Sequence, residues 1–233
     1  MKLVAVALKN FRGYLQEHWV SFSDITTVVG RNDVGKSTIL EALDIFFGVN
    51  VVKPEVTDKN VSTLDNYFQI TCKFSDLPPQ LVLDAQVTTS LSREYLLDAD
   101  GCLQLQKRWI CSTAKPKEEV RAVCQHPANE GLNDLVTLGN AALRKLAKER
   151  LIDTDYAAVN KASNPHMRAT LWASEDVTPE ETVVPLGEED GGKVWSRLAL
   201  HLPYFALFQS DRKSTERWRD SWTVGEQSIL EGP

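Results

Sequence analysis

Residues 30–37 read Gly30-Arg31-Asn32-Asp33-Val34-Gly35-Lys36-Ser37 and fit the phosphate-loop pattern GxxxxGK[ST]. Before this loop, the β-branched and apolar residues 25–29 predict a short buried strand. After it, residues 37–47 repeat apolar side chains at helical spacing, and Gly48 predicts the end of that helix. A strand, a glycine loop and a helix in this order form the context in which the pattern binds a nucleotide.

Each part of the loop has a use in binding a phosphate. The glycines let backbone N–H groups surround the anion, and the N-terminus of the following helix adds a partial positive charge. Lys36 brings a full positive charge to the β- and γ-phosphates, and Ser37 offers a hydroxyl to Mg²⁺. The alternative is a chance match on an ordinary β-turn-α unit. The flanking strand and helix patterns favour a nucleotide site.

Composition sets limits on the rest of the chain. Its 233 residues are 42% hydrophobic and 25% charged, as in ordinary globular proteins, and can bury a substantial core. The net charge of −6 gives no overall basic footprint for nucleic acid, so DNA contact would need a local basic surface. The four cysteines form no CxxC pair, which argues against structural zinc and a disulfide framework.

We also predict no targeting signal from this sequence. The N-terminal residues 1–9 run directly into a strand pattern rather than a signal sequence, and no apolar run approaches 18 residues. We therefore expect a cytoplasmic protein without a membrane partner.

Strand and helix patterns alternate unevenly along the chain. Alternating apolar residues predict strands over residues 2–9, 17–22, 67–74, 120–124 and 203–208. Residues 98–101 predict a tight turn between segments 88–98 and 102–112, and the proline pair at 78–79 predicts a short helix. Helical spacing appears from residue 135 to 151, over 165–173 and over 193–200, while the acidic residues 175–192 predict an exposed loop.

Two stretches beside the phosphate loop carry a family resemblance: residues 9–14 read KNFRGY, and residues 40–43 read LEAL. With the loop between them they resemble the start of the SMC/RecF-like ATPases. Within that group they are most similar to the OLD family (overcoming lysogenisation defect) and its relative, the Gabija nuclease subunit. Residues 202–212, LPYFALFQSDR, are similar to a stretch late in the N-terminal half of OLD-type ATPase domains.

The resemblance implies an α/β fold, the N-terminal lobe of an ABC-type P-loop ATPase domain. This lobe would span residues 1–212, with a mixed sheet, an antiparallel β patch and a helical insertion at about 130–200. Residues 213–233 depart from the family and are expected to form an atypical tail of a shortened domain.

The same resemblance implies ATP and Mg²⁺ as cofactors and assigns a set of site residues. Arg12 would lie near the nucleotide, Ser37 and Gln209 would reach the metal, and Asn32 belongs to the loop signature. The nucleotide-binding set is Arg12, Gly30, Asn32, Asp33, Val34, Gly35, Lys36, Ser37, Thr38 and Gln209. A surface arginine in a turn and an exposed loop glutamine are the alternatives for Arg12 and Gln209.

Hydrolysis in this family needs an apolar strand ending in Asp-Glu and a signature loop, and nuclease activity needs a Toprim domain. The acids of residues 95–100 precede a hairpin glycine and are interpreted as a turn, and residues 223–227 echo the signature loop by chance. The sequence is interpreted as lacking the Asp-Glu strand, the signature loop and the Toprim domain, so no catalytic residue is assigned. The chain is therefore expected to bind ATP and to hydrolyse it poorly by itself.

Several functions stay open at this point. An OLD-like, DNA-associated ATPase lobe would act as a homodimer or with a complementary ATPase/nuclease segment. The alternative is a non-catalytic, nucleotide-responsive regulatory or dimerisation module. A GTPase or small-molecule kinase is a third option, although residues 160–163 read NKAS and lack the aspartate of NKxD. DNA could meet the basic residues of 144–150 or 212–219, which otherwise form solvated helix faces.

Overall fold

The computed structural model describes residues 1–30, 35–49, 51–84, 87–187 and 191–208. The strands of this part are β1 (Lys2–Lys9), β2 (His18–Ser21), β3 (Tyr67–Ser75), β4 (Leu81–Asp84), β5 (Val87–Thr89), β6 (Leu103–Ile110), β7 (Lys117–Pro127) and β8 (Pro179–Pro185). Its helices are α1 (Lys36–Phe47), α2 (Asn140–Arg150), α3 (Asp153–Ala158), α4 (Asn164–Ala173) and α5 (Gly191–Ala199), and a 3₁₀ turn covers Val56–Asp58. No helix among the described ranges has the length and apolar character needed to cross a bilayer.

One six-stranded sheet organises the fold. Its strands follow the order β2-β1-β3-β6-β7-β8, and every neighbouring pair is antiparallel. Strands β4 and β5 pair separately. Most of these strands were predicted from alternating apolar residues, and the expected antiparallel patch is this sheet.

The core lies between one face of the sheet and α1. Because side chains alternate along a strand, Phe68, Ile70, Cys72 and Phe74 share one face of β3, and all four are fully buried. Phe46 and Phe47 of α1 contact Phe74, with ring centroids 6.3 Å away in each case. This packing fixes the helix that follows the phosphate loop against the central strands.

Two predicted buried strands are wrong in the described structure. Residues 25–29 form no strand, and the side chains of Ile25 and Val29 are 87% and 84% exposed. Residues 203–208 form no strand either, and Tyr204 is 86% exposed. An apolar run becomes a buried strand only when a neighbouring strand satisfies its backbone, and none of the described strands lies beside these two segments.

Three smaller expectations also need correction. The proline pair at 78–79 begins no helix and leads instead into β4. The acidic stretch 175–192 contains β8, an exposed edge strand paired with β7 and bounded by prolines, as edge strands tolerate. The turn at 98–101 forms, but the segment before it is not the first strand of a hairpin with β6. Between β5 and this turn the chain forms further turns, and β6 pairs with β3 and β7 instead.

The predicted helical insertion corresponds to α2–α5. Helices α2 and α4 pack together through buried apolar side chains, among them Leu143, Ala147, Met167 and Leu171. Strand β8 interrupts the insertion and returns the chain to the sheet edge.

A buried histidine predicts how stability depends on pH. His126 is fully buried, its Nδ1 lies 2.9 Å from the Tyr95 carbonyl oxygen, and the rings of Tyr95 and Trp172 meet it edge-on. Burial lowers the pKa of His126, although the Tyr95 carbonyl and the charges of Glu94 and Asp134 oppose the shift. In the unfolded chain the ring protonates near pH 6.5, so the unfolded state binds the extra proton first as pH falls.

We therefore expect the free energy of unfolding to fall as pH drops below about 6.5, by at most ~1.4 kcal/mol per pH unit from this residue. Urea denaturation at pH 7.5, 6.5 and 5.5 measures the effect. His126→Gln should remove this part of the slope. An identical slope in the variant would assign the pH dependence to other groups.

Candidate functional site

The two described ends of the phosphate loop are held together. The Lys36 ammonium group donates a hydrogen bond to the Gly30 carbonyl oxygen, with 2.7 Å between Nζ and O. The intervening residues 31–34, which include Asn32, Asp33 and Val34 of the predicted site, lie outside the described residues. Lys36 therefore stands at the mouth of the loop, where a phosphate oxygen could replace the carbonyl as its partner.

Gly35 begins α1 in a conformation that favours glycine. Its φ of 85° and ψ of 13° place it in the left-handed region. A Cβ atom there would lie 3.1 Å from the Tyr14 hydroxyl oxygen. That hydroxyl lies 3.4 Å from the Gly35 carbonyl oxygen, so the turn between β1 and β2 packs against the start of α1.

The first turn of α1 has the character of an anion site. Gly35 provides no side-chain cap, so no side chain from the cap position occupies the N–H groups of this turn. No acidic side chain lies in the turn to repel an anion. Ser37 is exposed and Thr38 half-buried, which leaves the Ser37 hydroxyl accessible to a metal ion bound to the phosphates.

Arg12 lies in the turn between β1 and β2 and joins three parts of the chain. Its Nε donates to Asp58 of the 3₁₀ turn at 2.8 Å, and its Nη1 forms an ion pair with Glu41 of α1. Burial by itself would lower the pKa of Arg12, but the hydrogen bonds with Glu41 and Asp58 raise it above its ordinary value. The arginine is in a turn, as one interpretation held, but it is half-buried and anchored rather than free on the surface.

Gln209 lies outside the described residues. The chain approaching it contacts α1, since the Phe205 ring stacks on Phe47 with 5.2 Å between centroids. Of the predicted set, the structure therefore brings together Arg12, Gly30, Gly35, Lys36 and the first turn of α1 with Ser37 and Thr38.

Sequence reasoning gave no role to Tyr14, Glu41 or Asp58, which contact these residues. Tyr14 and Glu41 stand inside the KNFRGY and LEAL stretches, so the family signature could have indicated them. Asp58 carries no such signal, because its contact with Arg12 spans 46 residues.

Residues 1–222 match the family described as the AAA ATPase domain. The chain belongs to this family. With the architecture described above, the match confirms the predicted α/β P-loop ATPase lobe. No curated protein matches the chain.

Among solved structures, this AAA ATPase domain is similar to the SMC head domain from Thermotoga maritima, with 14% sequence identity and a TM-score of 0.34. The alignment covers 66% of this chain and 54% of the head domain. The chain thus spans little more than half the length of that relative.

Two basic residues of α2 bind other parts of this AAA ATPase domain. Arg144 donates to the Lys161 carbonyl oxygen at 2.8 Å, and Arg150 pairs with Glu175 at 2.9 Å. These two therefore hold neighbouring loops, whereas Lys145 pairs with Glu149 of the same helix at 4.0 Å, and Lys148 is exposed. The second basic cluster, residues 212–219, lies outside the described residues.

Metal binding would depend on the phosphate loop. No group of three or more histidine, cysteine or acidic side chains in the described ranges could hold a metal ion. A small hard cation such as Mg²⁺ needs few protein ligands, because it keeps several waters and takes the rest from phosphate oxygens. The exposed Ser37 hydroxyl fits that requirement.

Proposed function

We propose that this chain is the ATP-binding lobe of an OLD-like, DNA-associated ATPase/nuclease, acting in DNA processing or phage defence in the cytoplasm. The observation that carries the proposal is the loop mouth: Lys36 faces Gly30 beside an α1 N-terminus without a side-chain cap. In this arrangement backbone N–H groups and Lys36 would bind the phosphates of ATP, while Ser37 and Gln209 would hold Mg²⁺.

Exposed apolar segments support a lobe that a complementary segment completes. Ile25 and Val29 precede the loop, and Tyr204 and Phe208, the latter 61% exposed, lie in the segment that approaches α1. Neither segment belongs to a strand in the part of the chain that the structure describes. An apolar strand carrying the missing Asp-Glu pair, from another segment or from a second ATPase lobe, would bury these side chains and supply the general base.

Titration calorimetry of the chain with ATP and MgCl₂ tests the proposal. We expect saturable binding at one site per chain, weaker binding of GTP in competition, and phosphate release close to the background rate. Absence of binding heat would contradict a nucleotide site, and brisk hydrolysis by the chain alone would contradict an incomplete ATPase. Preferential binding of GTP would instead favour the GTPase interpretation.

Association with DNA is a separate part of the proposal. Contacts from Lys145, Lys148 and the cluster at 212–219 would be electrostatic, so DNA affinity should fall steeply with salt. Fluorescence anisotropy of a labelled duplex between 50 and 200 mM NaCl measures this dependence. Binding that is unchanged by salt would rule out the phosphate contacts.

A further inference from the structure

The turn that carries Arg12 has an unusual backbone. Asn10 and Arg12 have φ values of 54° and 47°, in the left-handed region that residues other than glycine rarely adopt. Such conformations persist where surrounding contacts over-determine them, and they cluster at functional sites. The backbone of this turn therefore needs an explanation.

Contacts from residues 58–65 hold this backbone in place. The Arg12 N–H donates to the Asp58 carbonyl oxygen at 2.6 Å, and the Asn60 N–H donates to the Asn10 carbonyl oxygen at 2.7 Å. The Asn60 side chain donates to the Arg12 carbonyl oxygen, and the Asn10 side chain donates to Asp65 at 2.8 Å. The turn is thus fixed on both sides of Arg12, whose side chain can point in few directions.

Two carboxylates then fix the guanidinium group itself. Asp58 accepts from Nε and Glu41 accepts from Nη1, which occupies two of the five N–H donors of the side chain. Asp58 is itself held, because its second carboxylate oxygen accepts from the Glu55 N–H at 2.8 Å. The Arg12 side chain remains 28% exposed, so its other N–H groups can reach a ligand.

Glu41 places this group beside the phosphate loop. It follows Ser37 by four residues on α1, so both side chains lie on one face of the helix, about 6 Å apart along its axis. Alone, a carboxylate at this distance would repel a bound triphosphate. Paired with Arg12, it holds a cation beside the helix face that carries Ser37, and its own charge is neutralised.

We infer that Glu41 and Asp58 are positioning residues that set the Arg12 guanidinium for contact with the phosphates of a bound nucleotide. This inference rests on the proposed function and adds two residues that act through Arg12. It also predicts an asymmetry: Glu41 assists binding when Arg12 is present and opposes binding when Arg12 is absent.

Calorimetric dissociation constants for ATP and MgCl₂ test this asymmetry in the full chain. We expect Glu41→Gln and Asp58→Asn each to weaken binding roughly three- to tenfold, and Arg12→Ala to weaken it by more than about tenfold. In the Arg12→Ala background, Glu41→Gln should improve the affinity, because it removes an unpaired carboxylate near the phosphates. If Glu41 only stabilised the fold, Glu41→Gln would not weaken ATP binding in one background and strengthen it in the other.

Asp98 provides a matched control at the far end of β3. Like Asp58 it is a largely buried carboxylate that accepts backbone N–H groups and binds a cation, here Lys73 at 2.8 Å. Asp98→Asn should leave the dissociation constant within about twofold of the parent value. Thermal unfolding of every variant confirms that the folded protein is titrated.

Three results would contradict the inference, and failure of the positioning role can be told apart from failure of the nucleotide site. Equal weakening by Glu41→Gln in both backgrounds, or no weakening by either carboxylate variant, overturns the positioning role while the nucleotide site stands. If the parent chain binds no ATP, the proposed function fails, and the positioning role fails with it.

Discussion

Replacing Lys36 by alanine is expected to weaken the binding of ATP with magnesium by at least about thirtyfold. The substitution removes the charge at the loop mouth, where the ammonium group now donates to the Gly30 carbonyl oxygen. Truncating one member of a desolvated charge pair costs about 2–5 kcal/mol, which weakens binding roughly thirtyfold to more than a thousandfold. Titration calorimetry in the presence of MgCl₂ measures the loss.

Two comparison variants make this result specific. Lys115→Ala removes an equal charge from the exposed turn between β6 and β7, and it should leave the affinity unchanged. Lys36→Arg keeps the charge but replaces a compact ammonium group by a planar guanidinium, which fits a narrow loop poorly. We expect this variant to bind ATP more weakly than the parent chain. Unaltered affinity in Lys36→Ala would show that the loop does not bind the phosphates.

Helix α1 after the phosphate loop was predicted from the sequence, because local chemistry determines it. A glycine with positive φ at the start of α1 and a lysine after it are encoded within a few residues. The long-range partners were not predictable in the same way. Asp58 contacts Arg12 only because the 3₁₀ turn folds back onto the turn between β1 and β2, and no local pattern encodes that approach.

In the fold, too, local features were predicted and long-range pairing was not. Strands β1, β3 and β7 were predicted from their alternating apolar residues, since each has neighbours on both sides in the sheet. Residues 25–29 carry an equally apolar pattern, yet they form no strand. Periodicity reports which side chains favour burial, whereas pairing depends on a neighbouring strand that the pattern does not contain. Edge strand β8 was missed for the converse reason, because its largely exposed residues pair without a buried pattern.

A buried ion pair distant in sequence from the phosphate loop is expected to have a large effect on stability. Arg168 of α4 donates from Nε to Glu94 at 2.7 Å, and the side chains are 1% and 2% exposed. The other Glu94 carboxylate oxygen accepts from the Thr89 hydroxyl at 2.7 Å. This pair joins the helical insertion to the turn that follows β5, two parts of the chain that are 74 residues apart.

Glu94→Gln or Arg168→Met should therefore lower the free energy of unfolding by about 3–5 kcal/mol, because each variant removes one member of a buried ion pair and keeps the other. Urea denaturation measures the change. Glu149→Gln, which breaks the exposed pair with Lys145, is the control and should change stability by less than about 0.5 kcal/mol. The double replacement Glu94→Leu with Arg168→Met should recover part of the loss, since it removes both charges from the core. A loss below about 1 kcal/mol in both single variants would mean that solvent reaches the pair and that the insertion is anchored by its apolar contacts alone.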